Sequence, residues 1–139
     1  MKMMLFLAFT FSITARASIE VRPGKVELVK GDETLCESGA VRIVSDEDNR
    51  TLLVGNLQFP LFPEKSSEDL GLGSCIREDA TFSDHHSISF HSKVFKCLET
   101  HKNLEYEVTQ NLKITGENFH YQKIEGNKKQ ECFFRRSKS

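Results

Sequence analysis

After its first seventeen residues the chain lacks any long apolar run, and throughout it lacks a sustained helical period and an internal repeat. A helix-rich layer fold would show apolar residues at spacings of three and four, and a membrane-spanning helix needs ~20 consecutive apolar positions. Charge excess is missing as well: 19 basic residues face 20 acidic ones, a net charge of −1. Such a balance supplies no broad positive field for a polyanion. Catalytic signatures are absent too. Gly71-Leu72-Gly73-Ser74-Cys75 is not a nucleophile elbow. Asp84, His85, His86, Ser87 and His91 crowd together in sequence, but neighbouring strand residues point to opposite faces and do not converge as a triad. No catalytic residue and no cofactor is expected.

What the chain does have begins at its N-terminus. Lys2 precedes an uncharged apolar stretch from Met3 to about Ile13, followed by Ala15, Arg16 and Ala17. That pattern reads as a secretory signal peptide over residues 1–17, cleaved before Ser18. The remaining residues, 18–139, are long enough for one domain with one core. With Lys2 and Arg16 removed, 17 basic residues stand against 20 acidic ones. A secreted or periplasmic protein is expected, monomeric and without membrane association after cleavage.

Cys36, Cys75, Cys97 and Cys132 are four thiols in an exported chain, the number a disulfide framework requires. Their wide spacing, with no histidine at finger distance, argues against a structural zinc site. Of the three possible pairings, the strand reading below favours Cys36 with Cys75 and Cys97 with Cys132. The second of these bridges would demand strong curvature of the sheet.

Period-two alternation dominates the sequence. Leu104, Tyr106, Val108, Gln110, Leu112 and Ile114 interleave with Asn103, Glu105, Glu107, Thr109, Asn111 and Lys113. A strand places the first set on one face and the second on the other, whereas a helix would scatter both. Ile88, Phe90, Val94 and Leu98 mark a preceding strand, Phe119 and Tyr121 a third, and Glu131 to Arg135 a last one. Glu99 to Lys102, Thr115 to Asn118 and Gly126 to Lys129 are the turns. Earlier strands are expected near Lys25–Lys30, Ala40–Ser45, Arg50–Val54 and Leu57–Phe59, and Ser66–Leu70 reads as one capped helical turn. The expected fold is all-β: an antiparallel meander of about seven or eight strands, strongly curved into a partly closed barrel or a sandwich.

Function is then a matter of recognition on loops or faces. The leading expectation is a non-catalytic exported module that binds a protein, a glycan or a small apolar molecule. An alternative is an inhibitor of a secreted hydrolase that presents Phe59, Pro60, Leu61, Phe62 and Pro63, where proline limits the entropy lost on docking. A third is a metal-binding protein using His85 and His86, although residues on one strand face are too far apart to share an ion without a bulge. Asp46-Glu47-Asp48-Asn49 lacks the spacing of a calcium loop and reads as a solvated turn. Asn49-Arg50-Thr51 is a glycosylation sequon. Lys128-Lys129 and Arg135-Arg136-Lys138, around Phe133 and Phe134, are too few for a nucleic-acid platform on an acidic protein.

Overall fold

The alternating segments form ten strands in a computed structural model that describes residues 19–47, 49–61, 65–70 and 75–138. They are β1 (Gly24–Gly31), β2 (Gly39–Asp46), β3 (Asn49–Val54), β4 (Leu57–Pro60), β5 (Lys65–Asp69), β6 (Ile76–Ser83), β7 (Ser87–Phe95), β8 (Tyr106–Thr115), β9 (Asn118–Glu125) and β10 (Lys128–Arg136). One antiparallel sheet contains all ten, in the order β4-β3-β2-β1-β10-β9-β8-β7-β6-β5. It consists of two meanders, β1–β4 and β5–β10, fused where the first strand pairs with the last. Strands make up 66% and helix 5% of the described residues. The leader and its cleavage site lie outside the described residues.

The sheet is not closed. It nonetheless curls until β4 meets β7. The Phe59 ring lies edge-on to Tyr121 with centroids 5.8 Å apart, and Thr81 Oγ1 donates to the Pro60 carbonyl at 2.9 Å. Between the two arms sits a core that includes Val26, Val41, Leu52, Val54, Phe59, Ile88, Leu112, Phe119, Tyr121 and Phe134. Full burial of one such side chain contributes about 1.5–3 kcal/mol. A bulge between Leu28 and Lys30 interrupts the β1–β10 register, and extra twist of this kind suits a sheet that bends over its own core.

Two strands exceed the sequence reading. Ser66–Leu70 is not a helical turn, because Lys65–Asp69 pairs with β6 as the edge strand β5. β6 itself breaks the usual pattern, placing Thr81 and Asp79 toward the core and Phe82 outward. Strand β8 begins at Tyr106 rather than near Leu104, since Glu99–Leu104 winds into a short 3₁₀ helix with no buried residue. Leu98, Leu104 and Tyr106 are therefore exposed, not core, while Val108, Phe90 and Ile114 are half-buried and Ile88, Val94 and Leu112 are buried.

The disulfides also depart from the expected pairing: Cys36 joins Cys132, and Cys75 joins Cys97. Register explains both. Gly31, at the end of β1, lies opposite Cys132, so the following turn carries Cys36 back onto β10. Ile76 lies opposite Phe95, so the cysteines just outside that pair, Cys75 and Cys97, meet at the end of the β6–β7 ladder. Neither bridge reaches across intervening strands, and the curvature argument for Cys97–Cys132 falls with that pairing.

Candidate functional site

The segment expected to project as a recognition loop is divided by the fold. Phe59 belongs to β4 and is wholly buried, Pro60 ends that strand, and Leu61 packs half-buried against the core. Phe62 and Pro63 lie outside the described residues. His85 and His86 are exposed in the β6–β7 turn with ring centroids 6.4 Å apart, and His85 Nδ1 lies 3.6 Å from Glu20. Among the described residues no three His, Cys, Asp or Glu side chains gather as metal ligands. Asn49 opens β3 at an exposed position.

Antiparallel register instead builds a platform on the outer face of β6–β10, the side opposite the core. Directly paired residues form a rung across the strands: Phe82 with Ser89, Ser89 with Asn111, Asn111 with Gln122, and Gln122 with Glu131. The next rung runs Ser87, Lys113, His120, Phe133 and Lys30. Adjacent members of a rung sit close enough to interact, and three of the pairs do. Ser89 Oγ donates to Asn111 Oδ1 at 2.7 Å, Gln122 Nε2 donates to Glu131 Oε1 at 2.8 Å, and His120 stacks on Phe133 with centroids 4.4 Å apart and planes 9° apart.

This face holds a groove of about 450 Å³ bordered by Phe82, Asp84, Ser89, Asn111, Lys113, His120 and Gln122. A smaller one of about 230 Å³, between Val29, Lys113, His120, Phe133 and Arg135, continues it. Phe82 is 72% exposed, Val29 58% and Phe133 36%, whereas the other apolar residues of this face of β6–β10, Ile76, Ala80, Phe95 and Ile124, are half-buried. Isolated exposed apolar residues are ordinary, but here they edge a concavity.

Charges on the platform are mostly committed. Glu131 accepts from Gln122, with Lys129 at 3.4 Å and His120 at 3.3 Å. The Gln122 bond above all, aided by Lys129 and His120 against some desolvation, holds its carboxyl below the ordinary carboxylate range. Glu107 is lowered in the same way, chiefly by its 2.8 Å contact with His91 Nε2. Asp84 Oδ1 accepts the backbone amides of His86 and Ser87, which stabilise its ionised form and set the turn. Lys113 and Arg135, by contrast, make no ion pair among the described residues. The arrangement offers planar amides, hydroxyls, aromatic faces and cations without an ion pair among the described residues.

The bridge cysteines were identified as such by sequence reasoning, but the platform was missed. The one signal available was β6, where Ile76, Ala80 and Phe82 alternate with Arg77, Asp79 and Thr81, a strand whose apolar set faces away from the core. The molecule defined by these features is a disulfide-braced, ten-stranded antiparallel sheet with a grooved outer face. No protein-family model and no curated protein matches the chain.

Proposed function

We propose that the chain is an exported, monomeric, non-catalytic binding module whose ligand lies in the outer-face groove of β6–β10. The single observation that carries this reading is the Phe82 side chain, 72% exposed and bordering that groove. Two disulfides suit an oxidising extracellular or periplasmic environment, in keeping with the leader-like first seventeen residues. A sheet pinned at both ladder ends loses little entropy when a ligand docks on its side chains. Burial of Phe59 withdraws one anchor from the hydrolase-inhibitor alternative, so the platform is preferred over that segment.

The test uses the full, oxidised chain against immobilised glycans, peptides and lipids, beside the double variant Phe82→Ser/Phe133→Ser. Wild type should retain ligands of one class, and the variant should lose them at least about tenfold, a difference of 1.4 kcal/mol, with an unchanged urea midpoint. Ligands held equally by both proteins, or none held by wild type, overturn the reading.

A further inference from the structure

The geometry points to a carboxylate-bearing oligosaccharide as the ligand of the outer-face groove, lying across the strands with its acid group between Lys113 and Arg135. This inference rests on the groove being the binding site and goes further by naming the chemistry of what fills it.

The two concavities share Lys113 and His120, so they form one trough running from β6 toward the β1–β10 pair. From Phe82 to Phe133 the trough crosses four strand spacings, about 19 Å at ~4.8 Å each. That is room for several linked sugar rings, not a single small molecule. Its two ends are aromatic: Phe82 stands free, and Phe133 is backed by the stacked His120. A sugar ring has one face made of C–H bonds, and a flat aromatic surface covers that face without desolvating its hydroxyls.

Between the aromatic ends lies the amide and hydroxyl rung. Its internal hydrogen bonds use Asn111 Oδ1 and Gln122 Nε2, so the opposite atom of each amide is left to a ligand, one as donor and one as acceptor. Sugar hydroxyls both donate and accept, and they match such a mixed pair. A protein partner fits less well. The core of a protein interface is a contiguous apolar patch, whereas here Phe82 and the Phe133–Val29 pair are separated by a polar band three strands wide.

Charge decides the class of sugar. One carboxylate borders the trough, Asp84, which is held by two turn amides, and Glu131, next along the rung from Gln122, is engaged by three partners. Lys113 and Arg135 border its second half with no ion pair among the described residues. A carboxylate placed there gains charge-assisted hydrogen bonds without displacing an existing pair. At the other end of the same face a third hollow, by Glu105, Glu107 and Glu125, would repel the same ligand. The platform therefore has an anion-accepting end and an anion-rejecting end.

The experiment titrates the ¹⁵N-labelled, oxidised full chain with hyaluronan octasaccharide and with oligogalacturonate, alongside their methyl-esterified forms and a neutral chito-oligosaccharide. At least one acidic probe should shift the amides of Phe82, Asn111, Lys113, His120 and Phe133, weaken with added salt, and lose its effect on esterification. Lys113→Ala and Arg135→Ala should each reduce affinity about tenfold with unchanged stability. Equal shifts at those amides from neutral and acidic sugars overturn the acid-sugar inference but leave the groove as the binding site. No shift with any sugar, together with a peptide or lipid held on the immobilised panel and lost by Phe82→Ser/Phe133→Ser, also overturns the inference while the groove stands. No shift and no ligand on the panel overturns both.

Discussion

Removing the two disulfides one at a time should destabilise the protein unequally, and the order follows from which strands each bridge ties. Cys36–Cys132 spans 96 positions and Cys75–Cys97 spans 22. In the chain-entropy relation these loops correspond to about 4.7 and about 3.4 kcal/mol of restraint on the unfolded chain. The constant in that relation cancels in the difference, leaving about 1.3 kcal/mol from the ratio of loop lengths alone. Burial acts in the same direction. Cys36 and Cys132 are 1% and 0% exposed within the main core, whereas Cys75 and Cys97 share a small cluster with Val94. Cys36→Ala/Cys132→Ala should therefore unfold at a lower urea concentration than Cys75→Ala/Cys97→Ala. With a slope of about 1–3 kcal/mol per molar urea, the midpoints should differ by roughly 0.4–1.3 M. Equilibrium unfolding followed by circular dichroism and by tyrosine fluorescence reads this directly. Coincident midpoints, or the reverse order, would refute the reasoning, and so would a non-reduced peptide map joining Cys36 to Cys75.

Glu131 should make the protein acid-sensitive. Its folded-state pKa is depressed, so its contribution is complete above the unfolded value near 4.5 and fades as pH falls through the lower folded value. Melting temperatures of wild type should consequently drop more than those of Glu131→Gln between about pH 6 and pH 3, and parallel curves would contradict the assigned network. Two turn glycines separate backbone strain from collision. Both Gly55 and Gly116 have φ of +60°, but a Cβ at Gly55 would strike the Glu37 carbonyl while one at Gly116 meets nothing. Gly116→Ala should cost about 1 kcal/mol and Gly55→Ala appreciably more, and equal losses in chemical denaturation would argue against the packing at Gly55. Leu112→Ala should cost about 2–5 kcal/mol and Leu104→Ala little, since the first residue is 1% and the second 51% exposed; similar denaturation midpoints for the two variants would contradict the boundary of β8. Finally, burial pushes the Tyr121 phenol up to about 12, so ultraviolet titration of the native protein should show one tyrosine resisting ionisation to that pH.

The strands that alternate in the ordinary sense were legible in the sequence. In β1, β2 and β7 to β10 most apolar residues fall on one parity, and that parity faces the core. β5 was hidden because Lys65-Ser66-Ser67-Glu68-Asp69 is a polar edge strand that pairs with β6. Its Ser and acidic residues favour a helix start just as well. β6 was hidden by its inverted pattern, since Asp79 faces inward to accept from Ser92 Oγ at 2.6 Å and from Arg77 Nε at 3.3 Å. The disulfide pairing was illegible for a different reason. It depends on β1 docking against β10, a contact between residues about a hundred positions apart, which no local pattern encodes. The groove shares this cause, because Phe82, Asn111, Lys113, His120 and Phe133 come from four strands and meet only through register.

The pairing of β1 with β10 also sets the order of events when the chain is made. The last strand to emerge takes the fifth place in a sheet of ten, so the ladder that unites the two meanders is the one that must wait longest. Contacts of such separation are slow to form. Cys36 meanwhile stands as a free thiol while Cys75 appears, then Cys97, and only then its true partner Cys132. An oxidising compartment that joined thiols as they arrived would link Cys36 to Cys75 first and leave both meanders wrongly tethered. Escape from such a link requires thiol–disulfide exchange, so in oxidative refolding a disulfide isomerase should accelerate the appearance of the Cys36–Cys132 bridge.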